Sequence, residues 1–221
     1  AMKCNISANA TTSYYQWGIQ VASAWSGTGV SSGQTATLSG SVNYGQTMTA
    51  GSATFTAAKD TSSPAYAIVA AGTSGITAGV LKFAATNDAI TLNRVALQLT
   101  NTASSTSNDL TKVYLYDGST KVGESLFTGT ATTSVVTVSG VTIPKDGSKV
   151  LTIKVDVASM DSTNASTLEG AFIAVDLDGA GQAGSTYGTS SSGASVTPTL
   201  SDTAVAGFRV FKSYPTFARI S

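Results

Sequence analysis

Histidine is absent from all 221 residues. The absence removes the commonest general base near neutral pH and the commonest transition-metal ligand. Ser-His-Asp, Cys-His and His-metal chemistries are excluded with it. Cysteine is reduced to Cys4, which has no internal partner for a disulfide and no imidazole to activate it as a nucleophile. Charge is scarce: 11% of residues are ionic, against a usual share of about 25%. Twelve bases balance twelve acids. Such a chain lacks the basic face that releases counterions from nucleic acid, and it lacks electrostatic attraction to acidic lipids. No run approaches the roughly 18 apolar residues of a membrane-spanning helix.

The charges are also unevenly placed. Residues 4 to 58 contain no Asp, Glu, Lys or Arg, yet they hold both tryptophans. Apart from Lys3, every charge falls from Lys59 onward. Ser and Thr together fill a little under a third of the positions, so the surface is polar through hydroxyls rather than ions. An exported, wall-facing or polysaccharide-facing protein fits this composition, and its cysteine usage fits a bacterial one. Ala1-Met2 reads as an expression scar on an excised piece, and no apolar leader follows Lys3. Sequons at Asn5, Asn9 and Asn164 are the chance product of a Ser/Thr-rich chain.

Helix signals are almost missing, while Thr, Val, Ser and Gly favour strands and turns. In Ile90 to Leu99 the apolar face runs through Ile90 and Leu92, then slips to Val95, Leu97 and Leu99. A one-residue slip within an alternating strand predicts a β-bulge. Lys112 to Tyr116 precedes Asp117-Gly118, a hairpin turn signal, and Lys121 to Glu124 returns. Val135 to Val141 predicts a strand, and Pro144 to Gly147 a turn. Lys149 to Val157 alternates cleanly, with Leu151, Ile153, Val155 and Val157 inward. Ala171 to Leu177 and Ala206 to Phe211 close the series. The Gly/Ser-rich stretch 179–201 reads as a long loop or as a weak hairpin around Ala194 to Thr197. A boundary is expected at Asp60 to Pro64, where charges, a polar cluster and a proline coincide. It divides the chain into an uncharged aromatic-containing β segment, 1–61, and a sandwich, 62–221. The segment either packs on the sandwich or ends a preceding unit.

The candidate ligand-binding residues are Tyr15, Trp17 and Trp25. Tyr15 and Trp17 share one face of a strand. Trp25 joins them if the strand runs on or turns back. Flat rings stack on the apolar faces of sugars, and the amides of Gln16, Gln20 and Asn43 would bond hydroxyls. The competing reading is that these rings are core or inter-domain packing. Asp176 and Asp178 stand two apart before Gly179, but calcium needs six to eight oxygens, and positions 180 and 182 are Ala and Gln. A solvated strand end is the plainer reading, and no metal or cofactor is expected. The acids offer no pair flanked by aromatics for glycoside hydrolysis. Lys82 and Asn93 are the least unreasonable partners for a self-formed isopeptide link, which would need both on inward faces.

From Ser62 onward the order of motifs is familiar. It runs Pro64, Ile68 to Thr73, Val80 to Asp88, Leu92 to Leu99, Leu110 to Gly118, Val141 to Lys149, Val155 to Val157, and Phe208 to Thr216. This order resembles the Ig-like β-sandwich repeats of large secreted surface proteins of uncultivated, small-genome bacteria. In those proteins a Lys-Ser-x-Pro-Thr run, here Lys212 to Thr216, hands over to the next repeat. The resemblance implies a fold and an extracellular or cell-surface location, and it brings no functional residues. The first 60 residues depart from it.

The sequence therefore predicts an all-β, Ig-like antiparallel sandwich with an additional N-terminal β segment, and a non-catalytic structural or adhesive module. Its expected partners are neighbouring modules of a larger surface protein. A carbohydrate-binding module for a neutral polysaccharide is the alternative. A filament subunit assembling by strand donation is a further one.

Overall fold

The computed structural model describes residues 14–19, 26–37, 43–49, 51–100, 106–160, 169–179, 186–201 and 203–213. They form an all-β protein: an Ig-like, mostly antiparallel sandwich preceded by an N-terminal β segment. The helical element among the described residues is a single 3-10 turn, Ser107–Asp109. The chain divides into two compact units, Ala1–Ser52 and Ala53–Ser221.

The first unit is built of short antiparallel pairs. β1 (Tyr14–Tyr15) pairs with β6 (Met48–Thr49), β2 (Gly18–Ile19) with β5 (Asn43–Tyr44), and β3 (Ser26–Thr28) with β4 (Thr35–Thr37). The pairs are nested, so 14–19 runs against 43–49.

The second unit begins with β7 (Thr54–Lys59), earlier than the charge boundary at 60–64 implied. Phe55 and Ala57 of β7 are buried, and the strand lies antiparallel to β9 (Ile76–Thr86). Its outward positions before Lys59 are Thr54 and Thr56, so charge first appears only at the strand's last residue. β8 (Ala67–Ala70) precedes β9, and β10 (Ile90–Leu99), β11 (Leu110–Asp117), β12 (Thr120–Ser125) and β13 (Thr133–Thr137) follow. Next come β14 (Thr142–Ile143), β15 (Ser148–Val157), β16 (Phe172–Ile173), β17 (Val175–Leu177) and β18 (Tyr187–Ser190). β19 (Ser195–Val196), β20 (Thr199–Leu200) and β21 (Phe208–Phe211) complete the unit.

One large sheet has the order β12-β11-β15-β9-β7-β20. The other is centred on β10, flanked by β13 and β14 on one side and by β17 and β18 on the other, with β19 beyond β18. A small third sheet has the order β16-β21-β8. Leu81, Phe83, Leu115 and Ile153 of the first sheet and Ile90, Leu92, Leu97 and Val136 of the second join in one apolar core. Period-2 alternation delivers these residues to the inner faces, as in β15, where every second residue from Leu151 to Val157 is buried.

The slip expected within Ile90 to Leu99 is present. The pairing of β10 with β18 shifts between Leu92 and Arg94, and the buried set changes phase across that step. Asn93 is the residue in between. Its carbonyl accepts from Val138 N–H at 2.8 Å and its side-chain Oδ1 from Thr189 Oγ1 at 2.8 Å. The Asp117–Gly118 turn closes β11 on β12 as its dipeptide predicts, with Gly118 at φ 58°.

β9 runs the length of this unit, and its eleven residues span roughly 33 Å. One pole holds the end of β9 and the start of β15, where Asp146 Oδ1 accepts from Asn87 N–H at 2.9 Å. The chain enters β7 at this pole, because Thr54 lies opposite Thr86. The other pole holds the start of β9 and the end of β15, where Val157 N–H donates to Thr73 O at 3.0 Å. β21 runs parallel to β8 and ends at this second pole, with Phe211 opposite Ala70 and its carbonyl accepting from Ala71 N–H at 2.9 Å. The backbone of this unit thus enters at one end and leaves at the other.

Candidate functional site

The aromatic residues of the first unit owe their placement to the paired ribbon 14–19 against 43–49. Gly45 N–H donates to Trp17 O at 2.7 Å, and Gln16 Nε2 donates to Gly45 O at 3.0 Å. These two bonds clamp the step between β1 and β2 to the facing strand. Trp17 is 40% exposed, and Tyr14 and Tyr44 are more open still, at 65% and 64%. Tyr15 is half-buried. Trp25 lies outside the described residues. Tyr14 and Tyr44 belong with the candidates Tyr15, Trp17 and Trp25 to one aromatic set in the sequence. Strand alternation alone cannot tell which face of a two-stranded ribbon meets water. These rings are held on a paired backbone and have no ionic neighbours in sequence, since residues 4 to 58 carry no charge.

Ionic side chains gather instead on the outer face of the β12-β11-β15 region. Lys112 Nζ and Lys121 Nζ both contact Glu124, at 3.0 and 2.7 Å, and Lys149 Nζ contacts Asp117 at 2.7 Å. The two lysines, Lys121 first, hold the Glu124 carboxyl below its ordinary range. Lys121 also lies over the Tyr114 ring at 5.6 Å, and Lys154 over the Tyr116 ring at 4.6 Å. The two rings meet edge-on at 6.3 Å. Tyr114 OH donates to Asp156 Oδ2 at 2.7 Å, while Asp156 Oδ1 accepts from Gly75 N–H at 2.7 Å. The bond to Asp156 is the main cause that pushes the Tyr114 phenol up to about 12. These charges are spent on one another, and solvent screening leaves such exposed pairs little weight in stability.

Asp176 and Asp178 are not a solvated strand end. Both are 1% exposed. β17 carries them into the interior because it pairs with the central strand β10. Asp176 Oδ2 accepts from Thr100 Oγ1 at 2.6 Å and from Val205 N–H at 3.3 Å. Among the described residues no three potential metal ligands of the His, Cys, Asp and Glu types stand together. Asp109 is a third buried acid. It caps the 3-10 turn by accepting from Thr106 N–H at 2.7 Å, and burial pushes its carboxyl up.

The isopeptide pairing of Lys82 with Asn93 is not supported by their positions. Lys82 is exposed on the outer face of the first large sheet, while Asn93 belongs to the second and is bonded to Thr189. Asp88 serves as a latch between distant segments, since Ser191 Oγ donates to it at 2.7 Å and Ser191 N–H at 3.1 Å. The Ser191 hydroxyl is the main cause that holds the Asp88 carboxyl below its usual range.

No family model matches the chain, and no curated protein matches it. Among the described residues no helix is long and apolar enough to cross a membrane.

Proposed function

We propose that this chain is a non-catalytic structural or adhesive module of an extracellular bacterial surface protein, with neighbouring modules of that protein as its partners. The observation that carries the reading is the path of the backbone through the 53–221 unit. Entry and exit lie at opposite poles, about 33 Å apart along the strands. A module connected in this way adds length to a chain of modules, whereas one with both ends at a single pole would hang off it. The composition points the same way. A hydroxyl-rich surface with few ions and no histidine suits a passive spacer better than a catalyst. The order of motifs from Ser62 onward, which resembles secreted surface repeats, supplies the compartment.

A second reading is favoured by the exposure of Trp17, Tyr14 and Tyr44. In it the first unit grips a neutral polysaccharide by stacking. A pull-down of the whole chain on cellulose, chitin, xylan and peptidoglycan separates the two, with Trp17→Ala and Trp25→Ala beside the native sequence. The structural reading predicts no retention on any of the four. Retention that the tryptophan changes abolish would replace it with a carbohydrate-binding module.

A further inference from the structure

The geometry points to a mechanical role for the second unit: it is built to bear tension along the chain, with its terminal strands loaded in shear. Pulled apart, the two ends would draw the start of β7 away from one pole and the end of β21 away from the other. β7 lies between β9 and β20, with six register pairs to β9 from Thr54 to Lys59 and a parallel pairing to β20 through Thr56 and Ala57. β21 lies between β16 and β8, antiparallel to the first and parallel to the second. Both terminal strands are therefore held on two sides.

Hydrogen bonds between strands run across the strand axis. A pull along that axis loads the whole row together, and the strand slides only when the row fails as a unit. A pull across the axis opens the row one bond at a time. Val210 N–H donates to Ala171 O at 3.0 Å, and Val210 O accepts from Gly170 N–H at 2.7 Å. Phe211 O turns the other way, to Ala71 N–H. Residues of β21 thus alternate their bonds between β16 and β8, and sliding the strand breaks both rows. Phe208 and Val210 are buried, so sliding also drags apolar side chains out of their pockets. At the other terminal strand, Lys59 Nζ donates to Ala204 O at 2.9 Å and Ser201 N–H to Ala57 O at 2.9 Å. These bonds tie β7 to the segment that leads into β21.

The inference deepens the module reading and rests on it, since tension reaches this unit only where it stands in line within a longer chain. It is tested on the whole chain by single-molecule pulling, with Cys4→Ser in the background so that handles attach only at introduced cysteines. Handles at Ser52→Cys and Ser213→Cys load the unit end to end and leave residues 1–51 outside the line of force. Handles at Ser74→Cys and Ser213→Cys pull β8 and β21 apart from the one pole where both end. Forced unfolding follows the barrier rather than the equilibrium stability, so the two geometries report on different barriers of one fold. The expected result is a rupture force several-fold higher end to end than in the 74/213 geometry at the same loading rate. Equal forces would overturn the inference. Equal forces would leave the polysaccharide pull-down, and the module reading it tests, where they stood. Glycan retention would leave the force difference standing.

Discussion

Phe83→Ala is expected to lower the unfolding free energy by about 3–5 kcal/mol, among the largest effects any single truncation in this chain can have. Phe83 is fully buried in the middle of β9, the strand that runs from pole to pole. Its cross-strand partner on β7 is Ala57, and Ala85 follows it on the same face. Two small neighbours leave the volume that the ring fills. They cannot expand into the hole it would leave, so the lost transfer energy and the cavity cost add. A domain is stable by about 5–15 kcal/mol in total, so this one change consumes a large share. Chemical denaturation checks it, with Lys82→Ala as the control. Lys82 is the adjacent, exposed residue, and its truncation is expected to change stability by no more than about 0.5 kcal/mol.

The second large effect is expected at Gly207, the residue that admits the chain to β21. Its φ is +68°, a region that costs most other residues about 1–2 kcal/mol. A Cβ there would stand 2.6 Å from the Phe172 ring and 2.8 Å from Ile173 O. The carbonyl belongs to β16, which pairs with β21 and has no room to retreat. Gly207→Ala is therefore expected to destabilise by about 2–4 kcal/mol, strain and overpacking together. Gly193→Ala isolates the first part, because Gly193 has φ +85° with open space around its Cβ position. Denaturant midpoints for both variants check the argument. Equal losses at the two sites would mean that the contact with β16 does not matter.

The strands that sequence made legible are those that face water on one side. β15 alternates because one face is core and the other is solvent. β11 and β12 announce their hairpin through Asp117-Gly118. In β10 even the bulge could be read, because the apolar phase jumps where Asn93 intervenes. Other features were set by tertiary partners and left no local trace. The run Ala171 to Leu177 is continuous in sequence, yet the chain changes sheets at Ala174, whose carbonyl accepts from Thr100 N–H at 2.9 Å. Residues 187–200, rich in Ser, Thr and Gly, read as loop or as a weak hairpin around Ala194 to Thr197. There β19 pairs back on β18, while β18 and β20 find edges on β10 and β7.

The candidate site was legible in part. The charge-free run with its rings is plain in the sequence, and Trp17 is exposed. That Tyr14 and Tyr44 are more exposed than Tyr15 is set by the pairing of the ribbon, which alternation alone does not give. The burial of Asp176 and Asp178 was illegible, since only the position of β17 against β10 decides it. The two compact units divide between Ser52 and Ala53, ahead of β7, whereas charge first appears at the last residue of that strand, Lys59.

The proposed spacer role and the proposed load path rest on one geometric claim, that the chain enters and leaves the 53–221 unit at opposite poles. A distance measurement between spin labels at Ser52→Cys and Ser213→Cys, in the whole chain with Cys4→Ser, tests it directly. Both positions are exposed. The account predicts a single main distance on the order of 30 Å or more, set by the length of β9. A main distance under about 20 Å, well short of the rise of that strand, would place both ends at one pole and contradict it.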